Sequence, residues 1–329
     1  MKPSGSSWFV LAAALLAVTV SQLIQAAQAA AADYPTKPVR WVIPFPPGGS
    51  NDVLGRFLGA KLGERLGQQV VIDNRGGANG IIGAETVANA PPDGYTILMI
   101  STSYVMNAAV RTLPYDVEKS FDPITTIGTS PNAIVVYPGT GFNSLRDLVN
   151  KAKAEPGKLS YASTGVGGFN HFGGELFNKV AGIKMVMVPY KGGGPAMIDV
   201  MGGQIPVMFT SITQVLPNVR SGKIRMLAVG SAKRTAAVPD IPTVAEAGYP
   251  GYDVSVWWGV AAPARTARPV MDRLRSELTE ILKDPKTKEL LAADAAEVKI
   301  ATGNEFRKLI HDEVQKWTGV AKDAGIKVQ

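Results

Sequence analysis

Cysteine is absent from all 329 residues. Disulfides therefore cannot hold the fold, and thiolate metal sites, thiol catalysis and a lipid-modified cysteine anchor are excluded. Histidine is almost absent as well, with only His171 and His311 in the chain. No segment reads G-x-x-x-x-G-K-[ST], H-E-x-x-H or G-x-S-x-G, so a phosphate loop, a helical zinc pair and a nucleophile elbow all lack support. Clustered basic residues are missing too. Lys and Arg outnumber Asp and Glu by 34 to 27, giving a net charge of +7, but they are scattered singly among acids. That is the pattern of a solvated surface and excludes a nucleic-acid interface, while the modest positive balance suits an anionic ligand.

Long apolar runs are confined to the start of the chain. Lys2 precedes an uncharged stretch from Trp8 to Val20, and Ala27-Gln28-Ala29 supplies the small residues of an A-x-A cleavage site. The stretch is too short to cross a bilayer core, which needs ~20 residues as a helix. Residues 1–29 read as a signal peptide, with cleavage after Ala29 and Ala32 as the nearby alternative. Without a lipid-anchoring cysteine, the expected product is a free periplasmic protein in a Gram-negative host.

The remainder alternates between strands and helices. Val39 to Phe45 is short, apolar and β-branched, and Asn51 to Leu66 follows with apolar residues on one helical face before Gly67. Val70 to Asp73 and Thr96 to Ser101 read as strands around a helix at Ile81 to Ala88. Ser144 with Asp147 resembles a capping box. Leu159 to Ser163, Met185 to Pro189, Val207 to Thr210 and Ile224 to Gly230 read as buried strands, with a helix over Asn170 to Ala181. Leu274, Leu278, Ile281 and Leu282 share one helical face, as do Phe306, Leu309, Ile310 and Trp317. This order predicts an α/β protein of mostly parallel sheets covered by helices. Stretches near Pro114, Pro123, Pro131 and Pro138 read as loops or crossovers between lobes.

Two turns echo one another: Gly48-Gly49-Ser50-Asn51-Asp52 and Gly167-Gly168-Phe169-Asn170-His171, each a glycine pair after a strand and before a helix. Ligands in open α/β sheets settle beyond the carboxyl ends of strands. A helix N-terminus there offers unpaired N–H groups to an anion, and glycine permits close approach. For either turn alone, tight turning explains the glycines equally well. Asp52 either benefits from the helix dipole or orients the turn's amides, an ordered water or a ligand cation. His171 either donates to a ligand or caps the helix; a hydrolase would have to use it as base. Arg75 reads as an exposed turn residue or an anion clamp, and His311, beside Asp312 and Glu313, as a solvated side chain.

Ordered along the chain are Lys37-Pro38-Val39-Arg40, Phe45-Pro46-Pro47-Gly48-Gly49-Ser50-Asn51-Asp52, Asp73-Asn74-Arg75-Gly76-Gly77, Pro92-Asp93-Gly94-Tyr95-Thr96, Val188-Pro189-Tyr190-Lys191-Gly192, Gly202-Gly203-Gln204 and Ile241-Pro242-Thr243-Val244-Ala245-Glu246-Ala247-Gly248. Each is weak by itself. Together they closely resemble the Bug family, the extracytoplasmic binding receptors of tripartite tricarboxylate transporters. The resemblance implies a type II-like, hinge-closing periplasmic binding protein: lobe 1 from residues 33–131 and 254–329, lobe 2 from 132–253. It implies a monomer without cofactor or metal that captures a small carboxylate, acting with membrane transporter subunits or, alternatively, with a membrane sensor kinase. Ligand binding then falls on Phe45, Pro47, Gly48, Gly49, Asn51, Asp52, Ser101 and Thr102 from one lobe. The other lobe contributes Ser163, Thr164, Gly165, Gly167, His171 and Thr210.

The sequence departs from the family pattern at Gly168, where serine is common, and at Pro206 and Thr210, where acids are common. Fewer acids near the cleft weaken recognition of an ammonium group. The expected ligand is therefore a mono-, di- or aromatic carboxylate rather than an amino acid.

Overall fold

A computed structural model describes residues 34–326. The expected signal peptide over residues 1–29, with its cleavage site at Ala29 or Ala32, lies outside them. Three β-strands, β1 (Val39–Ile43), β2 (Val70–Asn74) and β3 (Thr96–Ser101), pair in parallel around β1. Their connections are α1 (Ser50–Leu66) and α2 (Ile81–Ala88), and α3 (Thr102–Val110) leaves the end of β3. Leu54, Leu58 and Leu62 bury one face of α1 against this sheet, and Gly67 ends the helix with φ near +67°, which glycine adopts without strain.

The same design recurs after β4 (Phe121–Val136). A capped helix, α4 (Leu145–Ala154), starts at Ser144, whose hydroxyl accepts the Asp147 N–H while Asp147 accepts the Ser144 N–H. Then come β5 (Ser160–Ser163), α5 (Phe169–Ala181), β6 (Val186–Pro189), α6 (Gly193–Met201), β7 (Val207–Ser211), α7 (Ile212–Arg220) and β8 (Arg225–Val229). Strand β5 pairs in parallel with both β6 and β7. The chain returns through β9 (Ser255–Pro263) and ends in α8 (Arg268–Lys283), α9 (Pro285–Ala293), the short β10 (Glu297–Val298) and α10 (Gly303–Ala324).

Two strands join the halves. Residues 121–131 of β4 run antiparallel to β9, and residues 132–136 run antiparallel to β7 and β8. Strand β9 also pairs antiparallel with β3. The result is a two-lobed α/β fold in which each lobe has a parallel strand triplet flanked by antiparallel crossover strands, rather than a mostly parallel sheet. Pro123 and Pro131 lie within β4, a strand that crosses between the halves, rather than in loops. Both are tolerated where the ladder is irregular: the register shifts beside Pro123, and β4 changes partners just after Pro131. Strand β9 escaped sequence reading because Val-Trp-Trp-Gly-Val-Ala-Ala-Pro is apolar throughout and lacks the alternation of a half-exposed strand.

The core is continuous across the crossover. Trp41, Leu58, Ile97 and Trp258 fill the first lobe, and Tyr161, Phe172, Phe177 and Phe209 the second. A smaller cluster around Met197, Val215 and Met226 lies beneath α6 and α7. Helix α10 ties the parts together. Glu313 accepts from the Trp257 indole of β9 at 3.0 Å and from the Trp317 indole at 2.8 Å, and the Trp317 ring meets Phe172 of α5 edge-on at 5.4 Å. Glu313→Ala strands two indole donors, so chemical denaturation should show a loss of about 2 kcal/mol. Unchanged stability would mean these indoles find water instead.

Candidate functional site

Strands β1, β3, β5, β6 and β7 each lead directly into the helix that follows, and their carboxyl ends face a common cavity. Its wall takes Gly49, Ser50 and Asn51 from the start of α1 and Ser101 and Ser103 from the start of α3. The other lobe contributes Thr164, Phe169 and Asn170 around the start of α5, Gly193 from α6, and Thr210, Ser211 and Gln214 from α7. Phe45 and Val256 complete it. Five helix N-termini therefore converge, and none has an N-cap side chain accepting its first N–H groups. The wall contains no charged side chain. Unpaired N–H groups and helix dipoles make it electropositive without a formal cation.

The two echoed turns have nearly the same geometry. Gly48 and Gly167 take φ of +88° and +81°, and the capping residues Gly49 and Gly168 are extended at φ −88° and −97°. In each turn a side chain four residues on accepts the N–H of the left-handed glycine: Asp52 Oδ2 from Gly48 at 3.0 Å, and His171 Nδ1 from Gly167 at 3.1 Å. Asp52 and His171 are thus braces that hold the turns. Asp52 also accepts from Asn74 at 2.9 Å and from Arg56 at 3.0 Å, and Asn74 donates in turn to the Phe45 carbonyl. Burial alone would raise the Asp52 carboxyl, but hydrogen bonds from Arg56, Gly48 and Asn74 outweigh it and hold its pKa below the usual value. Burial lowers the pKa of His171, which stays neutral with its proton on Nε2.

Of the residues expected from sequence, Phe45, Gly49, Asn51, Ser101, Thr164 and Thr210 lie on the cavity wall. Pro47, Gly48, Asp52, Thr102, Ser163, Gly165, Gly167 and His171 stand outside it, each for a local reason. Thr102 is buried and accepts the Trp257 N–H at 2.8 Å, tying α3 to β9. The Ser163 hydroxyl donates back to the Gly165 carbonyl at 3.0 Å, shaping the turn after β5. Gly48, Asp52, Gly167 and His171 form the braces, and Pro47 and Gly165 form part of the lobe contact. Arg75 is half-exposed and pairs with Asp73 at 3.0 Å, while His311 lies on the surface against Glu118.

Sequence reasoning missed Ser50, Ser103, Phe169, Asn170, Gly193, Ser211, Gln214 and Val256. The same strand–turn–helix grammar would have found most of them, because Gly192-Gly193-Gly194 follows β6 and Ser211 ends β7 immediately before a helix.

The lobes touch through backbone. A Cβ on Gly192 would fall 2.6 Å from Pro46 Cδ, one on Gly194 would overlap the Pro47 carbonyl, and one on Gly168 would overlap the Asn79 side chain. Ser103 Oγ of the first lobe accepts the Phe169 N–H at 3.1 Å, so the first N–H of α5 is capped from across the cleft. Arg111 reaches over to the Val166 carbonyl. Asn79, at φ +55°, donates its side-chain amide to Asn107 Oδ1, and the Asn107 amide donates back to the Asn79 main-chain carbonyl, both at 3.0 Å. The cavity left between the lobes is about 30 Å³. That admits a water or two, so a carbon-chain ligand enters only when the lobes part.

Comparison with known proteins now fits this geometry. The model of the tripartite tricarboxylate transporter family receptor matches residues 54–326. The chain belongs to this receptor family. It is 36% identical over 319 residues to protein BugT of Bordetella pertussis, covering 96% of this chain and 98% of that one. The structure of the periplasmic binding protein BugD superposes with a TM-score of 0.87 at 35% identity, covering 90% of this chain and all of the other. An R. palustris protein solved with adipate superposes equally well, with a TM-score of 0.87 at 34% identity over 89% of this chain and 99% of that one. Bug-type receptors are substrate-binding proteins of the two-lobed periplasmic fold, as the resemblance in sequence implied.

The His171 brace makes stability depend on pH in a defined direction. A pKa lowered by folding leaves the unfolded chain binding more protons below about pH 6.5, so stability falls as pH drops below that value. His171→Gln keeps an acceptor for the Gly167 N–H without titrating. Thermal melts at pH 7.5 and 5.5 should show wild type losing more stability in acid than the variant. Equal losses would rule out His171 as the source.

Proposed function

We propose that this chain is a periplasmic, non-enzymatic receptor. It captures a small carboxylate lacking an ammonium group and delivers it, as a monomer, to the membrane subunits of a tripartite tricarboxylate-type transporter. The observation that carries this reading is the convergence of five helix starts, none capped by its own N-cap side chain, on a cavity without a charged side chain. Such a wall stabilises an anion through N–H groups and dipoles. It offers no carboxylate to balance an ammonium group, which would be costly to bury alone. The solved relative with adipate supports the same ligand class.

In this reading residues 33–131 with 254–329 form one lobe and 132–253 the other. The change of β4 partners after Pro131, and the Asn132 N–H to Val254 carbonyl bond at 2.9 Å, support that division. Residues 1–29 act as the signal peptide that brings the chain to the periplasm. A hydrolase reading finds no support, because Nδ1 of His171 already accepts the Gly167 N–H and the ring stands outside the cavity wall. Opening admits the ligand. Closing is favoured by it only to the extent that the closed form binds better, since a ligand shifts an equilibrium by its differential affinity.

Gly49 offers a sharp test. Its φ is ordinary and a Cβ there meets nothing within 4 Å, so a side chain can be accommodated. In Gly49→Asp the new carboxylate caps α1 and places a negative charge where the ligand's should lie. Thermal stability should hold or rise, while calorimetric affinity for carboxylates falls roughly tenfold or more. Retention of full affinity would place the anion elsewhere. Mass spectrometry of the molecule released from natively purified protein identifies the ligand itself.

A further inference from the structure

The start of α7 carries a polar arrangement that the helix dipole alone does not explain. Thr210, buried near the end of β7, donates its hydroxyl to Gln214 Oε1 at 2.9 Å. The amide oxygen is turned to Thr210, and Nε2, buried on the cavity wall, has no protein partner. Gly193 makes room for it, because a Cβ there would lie 2.5 Å from Nε2. Ser211 Oγ beside it is also buried and unpartnered. A buried amide donor without an acceptor is costly unless a ligand atom or a water that the ligand displaces supplies one.

We infer that Thr210 and Gln214 form a polarity-setting pair that selects a hydrogen-bond acceptor, best a carboxylate oxygen, on the ligand group that meets the second lobe. This inference rests on the carboxylate-receptor reading and names what that reading leaves open. The amide nitrogen can only donate, so it pairs with a carboxylate in a charge-assisted bond and leaves an ammonium group facing a second donor. Thr210 permits this sign of selection, which a carboxylate in its place would forbid. A hydroxyl can donate to the Gln214 oxygen and leave the nitrogen facing inward. A carboxylate at position 210 could only accept; it would take the Gln214 N–H and turn the oxygen inward, where it would welcome an ammonium group. An acid and a threonine at this position thus predict opposite preferences through the same glutamine.

The pair is tested by calorimetry with straight-chain diacids of four to six carbons, the ω-amino acids of matching length, and the matching monocarboxylates. Wild type should bind its best diacid at least tenfold tighter than the corresponding amino acid. Gln214→Leu should weaken that diacid about tenfold while changing the monocarboxylate little. Thr210→Val, which keeps the shape but frees the amide, should narrow the gap between diacid and amino acid. Thr210→Asp, where it folds, should narrow it further or reverse it.

An amino acid binding as well as the diacid in wild type overturns the inference. So does Gln214→Leu weakening diacid and monocarboxylate equally, or leaving the diacid unaffected. In the Gln214→Leu cases the carboxylate reading stands whole, because carboxylates still bind; an amino acid that binds equally well leaves carboxylate capture standing but removes its exclusion of an ammonium group. If no member of the panel binds wild type, the ligand is not a straight-chain carboxylate and this inference falls, while the wider carboxylate reading is decided by the molecule released from natively purified protein.

Discussion

A helix cannot pair its own first N–H groups, and here five helices begin at one place without an N-cap side chain of their own to accept them. That shared shortage is what the rest of the cleft is arranged around. The parallel triplets bring the starts to one edge, and the left-handed glycines let the chain turn sharply into α1 and α5. Buried acceptors four residues on then lock those turns. Part of the shortage is met across the cleft, where Ser103 accepts the first N–H of α5. What remains unpaired is the chemistry a carboxylate can use. The site attracts an anion through geometry, so it needs neither lysine nor arginine on its wall.

The paired turns also show how one backbone solution accepts different chemistry. Asp52 and His171 occupy equivalent positions and make equivalent bonds, yet their surroundings differ. The aspartate sits in a network with Asn74 and Arg56 that favours its charge, while the histidine is held neutral by burial. The first turn is therefore insensitive to pH near neutrality, and the second loses support only as the pH falls into the acid range.

Much of this was legible in the sequence, and the reasons for the rest are physical. Strand and helix segments were readable because apolar spacing and glycine punctuation act locally, and the boundaries fell within two residues of those observed. The signature at Gly48–Asp52 and its echo at Gly167–His171 could be found because they combine backbone freedom with a fixed spacing. Strand β9 and the strand character of Pro123 and Pro131 could not. A strand buried on both faces has no alternation, and a proline in a ladder is excused only by register shifts that exist in three dimensions. The cavity wall was half-legible. Sequence spacing places a residue at a helix start, but it does not say whether the side chain turns into the cleft, as with Asn51, or back into the turn, as with Asp52 and His171.

The seam where Gly192 and Gly194 meet Pro46 and Pro47 has a mechanical consequence. Main chain abuts main chain and rigid rings there, with no flexible side chain between, so the lobes meet a hard stop rather than a cushion. Any larger residue at these glycines would hold the jaws ajar. How far the protein can shut is thus written into its backbone and is difficult for evolution to adjust in small steps. Relatives that accept larger or smaller cargo on this frame would have to change the furnishing of the chamber and leave the depth of the bite alone.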